Sequence, residues 1–424
     1  MHAAAPPADP SLSVGSLILR VYLPFACAYF LSYLYRTVNA VVGPIIADEL
    51  LLSAGDLGLL TSAYFITFSA IQLPLGVALD WFGPRRVQAV LMLTLATGGV
   101  LFGLGSTLVE LVPARMLIGL GCAAGLMGGL KIITLWFPPG QWPMMNGVLM
   151  AAGGLGALTA TAPAQAVLTV VSWHSLFFGL SALTVAVALL LWLTVPEKPA
   201  LAASGTLGDQ VRAVGQIVCD GYFWRILPIF AVAQATFIGI QTLWIGPWLR
   251  DVAGQDGATR GATMLATSVA MTAGFLTSGM TAGVLARFGV SGYATATGAM
   301  GLFLISTGWL VAVSLGLDVG LSPIVLWGAF GFLGTYLILY FPILNAAFPL
   351  HLVGRVNTSA NFISFGSVFV AQWGIGRILD FWPRTAAGGY APTGYAVGFG
   401  ILLGLQVAAL AWLFISRAQP AKAR

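Results

Sequence analysis

Read in windows of about twenty residues, the chain returns again and again to one pattern: a long apolar run, a short polar turn, another long apolar run. About twenty such residues cross the hydrocarbon core of a bilayer as a helix. Runs of this kind lie at roughly 18–47, 57–79, 87–107, 109–136, 143–170, 174–195, 223–249, 261–285, 292–314, 321–349, 356–379 and 392–416. Lipid offers no hydrogen bonds to the backbone, so each run has to satisfy its own N–H and C=O groups as a helix. Composition agrees with a bilayer as solvent. Of 424 residues 58% are hydrophobic and 7% charged, where soluble domains carry about a quarter charged residues. The expectation is an all-α membrane protein with twelve transmembrane helices.

The first run is too long for the h-region of a signal peptide and reads as a true span. With the N-terminus inside, the cytoplasmic face receives Arg20, Arg85, Arg86, Lys198, Arg212, Arg225, Arg287, Arg355, Arg417, Lys422 and Arg424. Only Arg250, Arg260, Arg377 and Arg384 fall outside. That excess is the positive-inside pattern, and it places both termini in the cytoplasm, with the inner membrane as the location. The net charge of +5 therefore reports topology and not a nucleic-acid partner. Cys27, Cys122 and Cys219 are far apart, which points to neither a disulfide framework nor a metal site. No metal cluster, phosphate-binding loop or acid/base pair appears, so neither an enzyme nor a cofactor is expected.

Between the sixth and seventh runs lies VPEKPALAASGTLGDQVRAVGQIVCDGY, the longest polar stretch. It divides the chain into an N-terminal six-helix bundle (1–195), a cytoplasmic linker (196–222) and a C-terminal six-helix bundle (223–424). The halves echo each other: GVALDWFG follows the second run and GVLARFG the eighth. Pseudo-symmetric repeats with a midplane site between them are a transporter signature.

Three cations fall inside the runs: Arg36, Arg115 and Lys131. All acids fall in loops or at run ends, so the membrane interior holds cations without carboxylates. A charge there costs at least a few kcal/mol and marks function. In SYLYRTVNAVVGP, helical spacing puts Tyr33, Arg36 and Asn39 on one stripe. A guanidinium fork suits bidentate recognition of a carboxylate or phosphate, and Tyr33 and Asn39 would add neutral hydrogen bonds. Lys131, about 24 Å along the helix from Arg115, would be a second cation of an inward-facing anion path. Gln241 and Trp244 in the seventh run, Tyr336 in the tenth and Asn361 in the eleventh would line the opposite wall. Gly246-Pro247 breaks the seventh run near its outer end.

GVALDWFGPRR, Gly76 to Arg86, resembles the loop motif of the major facilitator superfamily, G-x-L-x-D-[RK]-x-G-[RK]-[RK], with Trp81 where a basic residue is usual. Gly76 is expected to allow close helix approach and Gly83 a tight turn. Asp80 is expected to pair with arginine or a helix N-terminus, and Arg85 and Arg86 to face the headgroups. RMLIGLGCAAG resembles the fourth-helix motif, which implies a gating or structural part for Arg115. The fifth-helix motif of drug/proton antiporters is not matched. The first two runs, with YRTVN, LGLLTSAY and QLPLGVALD, resemble the anion:cation symporter group. Two acids of that group, its expected proton carriers, are replaced by Tyr35 and Cys122.

The function implied is a monomeric secondary carrier for a small organic anion, a carboxylate first of all, working by alternating access with Arg36 as the anion-binding residue. The missing carboxylates favour uniport or exchange over proton symport. Siderophore or metal-chelate carriers, nitrate-like carriers, drug exporters and a transport-silent anion receptor are the alternatives.

Overall fold

The computed structural model describes residues 14–196, 207–349, 352–386 and 388–416. Lys198, Arg417, Lys422 and Arg424, assigned above to the inner face, lie outside the described residues. Among the described residues, twelve helices are long and apolar enough to cross a membrane. The first six are Gly15–Thr37, Ala54–Trp81, Gly83–Leu104, Leu108–Trp136, Met144–Val167 and Trp173–Thr194. The last six are Gly221–Asp251, Gly257–Arg287, Gly292–Ser314, Pro323–Ala346, Val353–Leu379 and Pro392–Ile415. Part of the expected linker forms a further helix, Leu207–Val218.

Polar residues that interrupt the apolar pattern sit at helix ends, where orphan backbone donors need partners. Ser53 with Asp56 and Thr107 with Glu110 form capping boxes at the starts of the second and fourth spans. The repeated loop motif is real in geometry: Gly83 and Gly289 both adopt left-handed backbone, at φ 77° and 80°. Gly76 departs from expectation. A Cβ there would meet nothing within 4 Å, so this position imposes no close helix approach.

The fourth, seventh and tenth spans are interrupted within their length, and the first ends at a break beyond which a further helix continues. The first breaks at Val38, between helices Leu23–Thr37 and Asn39–Glu49. The fourth breaks at Ala123, the seventh widens into a π-turn over Ile240–Trp244, and the tenth tightens into a 3₁₀ turn over Thr335–Leu339. Pro44, Pro247 and Pro342 lie a few residues beyond three of these sites. Each lacks the N–H that would bond the carbonyl four residues earlier. The break in the seventh span therefore starts a turn before Gly246-Pro247, deeper than the sequence indicated.

At the end opposite the termini the halves are tied together, chiefly where the second span meets the eleventh. Asp380 accepts from the backbone N–H of Ala54 and of Gly55, both at 2.9 Å, and so caps the second helix from the other half. Arg384 donates to the Leu52 carbonyl, and Arg250 lies 3.7 Å from Asp48. Close approach depends on small residues. A Cβ on Gly376 would collide with the Ala54 carbonyl oxygen, and one on Gly58 would press on the backbone of Gln372 and Trp373.

Gly376→Val is therefore expected to force the two spans apart and to lower the thermal unfolding midpoint in detergent by several degrees. Gly374→Val on the same helix, where an added Cβ meets nothing within 4 Å, is expected to leave it unchanged. Equal shifts for the two variants would refute the close-packed seam.

Candidate functional site

A cavity of about 670 Å³ lies between the halves. Its wall is drawn from Tyr29, Tyr33, Arg36, Gln72 and Cys122 on one side and Gln234, Gln241, Asn345, Asn357 and Asn361 on the other, set among Phe, Met and Leu side chains. The fifth and eleventh spans, which start on the termini side, contribute their earlier residues, and the fourth, eighth and tenth, which end there, their later ones. The cavity thus occupies the termini side of the molecule, below the level of Arg36 and Gln241, with the sealed end beyond it.

Arg36 is 7% exposed. Its Nε donates to the Tyr64 hydroxyl at 3.2 Å. The guanidinium carbon lies 4.7 Å from the Tyr33 ring centre, 4.8 Å from Phe68 and 5.6 Å from Phe365, so aromatic faces from both halves surround it. Its two terminal nitrogens meet no acceptor among the described residues, and no ion pair among them involves Arg36. The break at Val38 places Arg36 in the last turn of its helix, where the macrodipole favours a cation.

Arg115 is fully buried and acts on the backbone. It donates to the carbonyls of Tyr35 at 2.9 Å and Arg36 at 3.4 Å, in the turn that the break leaves open. It is thus a strut beneath Arg36, away from the cavity wall.

Of the eight residues expected at the substrate, Arg36, Tyr33, Gln241 and Asn361 line the cavity. Four do not. Asn39 follows the break and turns to Thr61, donating to its hydroxyl at 3.2 Å. Trp244 is carried round by the π-turn and donates to the Gln372 carbonyl at 3.1 Å, against Tyr390 and Tyr395. Tyr336, in the 3₁₀ turn, directs its hydroxyl to Thr281 at 3.0 Å. Lys131 is held by Asp80 at 2.6 Å, which corrects the expectation of a second free cation and supplies the partner of Asp80 in place of arginine. Arg85 crosses to the sixth span, donating to the Trp192 carbonyl at 2.6 Å and lying over its ring. Tyr35 packs away from the cavity, beside Ser181 and Phe177, while Cys122 lines it.

Tyr64 and Gln72 were not singled out from the sequence, although the signal was there. Tyr64 closes LGLLTSAY and Gln72 opens QLPLGVALD. Gln72 is buried, and the side-chain oxygens of Gln72, Asn345 and Asn357 have no partner among the described residues.

A family model described as Major Facilitator Superfamily matches residues 25–372. The chain is 27% identical over 171 residues to a probable sulfoacetate transporter of Cupriavidus necator, covering 40% of each chain. It is 26% identical over 247 residues to a hexuronate transporter of Bacillus subtilis, covering 56% of this chain and 57% of that one. A probable L-galactonate transporter of Escherichia coli is 28% identical over 162 residues, 38% and 36% of the two chains. The matches thus span less than two thirds of these relatives' own lengths. In fold, the chain is similar to a bacterial homolog of the human lysosomal transporter Spinster, inward-facing and unoccupied, with a TM-score of 0.73 at 19% identity over 95% of this chain and 98% of that one. It is similar also to a D-xylose-proton symporter, with a TM-score of 0.74 at 15% identity over 96% and 99%.

The two arginines are expected to respond oppositely to removal. Arg115→Met strands buried carbonyls, each worth about 1–3 kcal/mol when left unpaired, and should lower the melting temperature of the unliganded protein. Arg36→Met deletes a buried charge that has no counter-ion and should leave that temperature unchanged or raise it. Differential scanning fluorimetry in detergent decides; a larger loss for Arg36→Met would contradict the assigned roles.

Proposed function

The chain belongs to the Major Facilitator Superfamily, and on that premise we propose that it is a secondary carrier for a small organic anion, a carboxylate first of all. Transport would proceed by alternating access across the inner membrane, with both termini cytoplasmic and Arg36 as the anion-binding residue. One observation supports this most: a buried guanidinium whose terminal nitrogens have no acceptor among the described residues and whose neighbours are rings. A permanent protein carboxylate would neutralise the site and lock it. A mobile anion instead completes it on arrival and restores the free cation on leaving. Relatives named for sulfoacetate, hexuronate and L-galactonate transport agree with an organic acid as cargo.

In this reading the conformation is inward-facing. The cavity lies on the termini side, and the Asp380 cap with the Gly376 seam closes the far end. Rocking of the two six-helix bundles would open that seam and narrow the termini side. No Asp or Glu lines the cavity among the described residues, so nothing on its wall carries a proton in the way a symporter's carboxylate does. Uniport, anion exchange or a proton brought by the substrate follows. A single chain encloses the cavity, and a monomer suffices.

Counterflow in proteoliposomes tests the proposal. Liposomes loaded with unlabelled carboxylate should accumulate labelled carboxylate without any imposed proton gradient. Arg36→Gln should reduce the rate about a hundredfold, in the range seen when one partner of a buried charge pair is removed. Undiminished counterflow in that variant would refute the assignment.

A further inference from the structure

We infer that the cavity selects a singly charged acid with a flat apolar body, an aryl or arylalkyl monocarboxylate in chemical class, over dianions and over polyhydroxylated acids. The inference rests on the anion-binding reading of Arg36 and adds what the rest of the wall requires of the cargo.

The first argument is charge. Arg36 is the one Lys, Arg or His on the cavity wall among the described residues. Lys131 is neutralised by Asp80, and Arg115 is spent on the carbonyls of Tyr35 and Arg36. A second carboxylate on the cargo would therefore leave water for a wall without a counter-ion, which is strongly unfavourable.

The second argument is the direction of approach. The guanidinium carbon lies over the rings of Tyr33, Phe68 and Phe365, and Tyr64 takes its Nε, so the edge left free among the described residues is that of the terminal nitrogens. A planar carboxylate fits that edge with two parallel hydrogen bonds. The group attached to it then runs along the rings.

The third argument is the remainder of the wall. Phe237, Phe275, Met127, Met150 and Met271 face the cavity from both halves. Methionine thioethers adapt to ligand shape and contact aromatic edges favourably. A cavity of about 670 Å³ is of the size that holds a drug-sized ligand, so a two-carbon acid would leave most of it unfilled. A polyhydroxylated acid would set several of its hydroxyls against carbon. The wall's amides, at Gln72, Gln234, Gln241, Asn345, Asn357 and Asn361, are outnumbered by its apolar side chains, and each hydroxyl of a polyol chain needs a partner once buried.

The test is isothermal titration of the full chain in nanodiscs with three probes of similar size: 3-phenylpropanoate, phenylsuccinate and gluconate. The aryl monoacid is expected to bind at least about tenfold more tightly than either of the others, as unpaired burial of a charge or hydroxyls implies. Arg36→Gln should abolish its binding, and Phe275→Asn should narrow its advantage over gluconate several-fold in protein that elutes as wild type. Gluconate or phenylsuccinate binding as tightly as the aryl acid, with Arg36→Gln still abolishing binding, overturns this inference and leaves the anion reading standing. No binding by any probe, or binding indifferent to Arg36→Gln, overturns both.

Discussion

The arrangement depends on one charge that the protein does not neutralise. Arg36 sits where a carboxylate would be the ordinary solution, and the described structure instead supplies rings, one phenol and the negative end of a helix. The break at Val38 is what makes this tolerable. It creates a helix C-terminus at mid-depth, so the dipole favours Arg36 while the carbonyls it frees are taken by Arg115. Two cations thus share one break, one facing the cavity and the other bracing the backbone behind it. Without the break the carbonyls would be paired within the helix, and Arg115 would have nothing to hold.

The same logic extends to the other interrupted spans. In lipid an irregular turn is allowed only where it is covered by protein or lines a cavity. The breaks at Val38 and Ala123, the π-turn at Ile240–Trp244 and the 3₁₀ turn at Thr335–Leu339 all fall at or beside the cavity wall. Irregular backbone and the cavity-lining residues are therefore one feature. Gln241 lies within the π-turn, Thr335 opens the 3₁₀ turn and Thr37 directly precedes the break at Val38.

This explains how the sequence was legible in some places and not in others. The twelve spans, the three cations within them and the loop motif were readable because hydropathy and charge are local properties that lipid enforces nearly without exception. Asn39, Trp244 and Tyr336 were misplaced for a shared reason. Each is expected on the cavity wall if its span runs as a regular helix, and each lies within or just past an irregular turn. Lys131 failed differently: its partner Asp80 is 51 residues away on another span, a pairing that spacing within one helix does not contain. Tyr64 and Gln72 were visible as motif letters, but only the fold brings the phenol to Arg36.

On the carrier reading, the seam and the site are mechanically one object. Phe365, which stands against the Arg36 guanidinium, belongs to the same span as Gly376, and Asp380 caps the second helix directly after that span ends. The second span carries Phe68, which meets Phe365 edge to face at 4.6 Å, and also Gly55 and Gly58 at the seam. Any relative motion of these two spans changes the seam and the ring cage together. A planar anion seated on the free edge of Arg36 would remove the unpaired charge that disfavours drying the cavity, and so would lower the cost of closing the termini side. Substrate and gate are then coupled through Phe68 and Phe365, without a proton carrier on the wall.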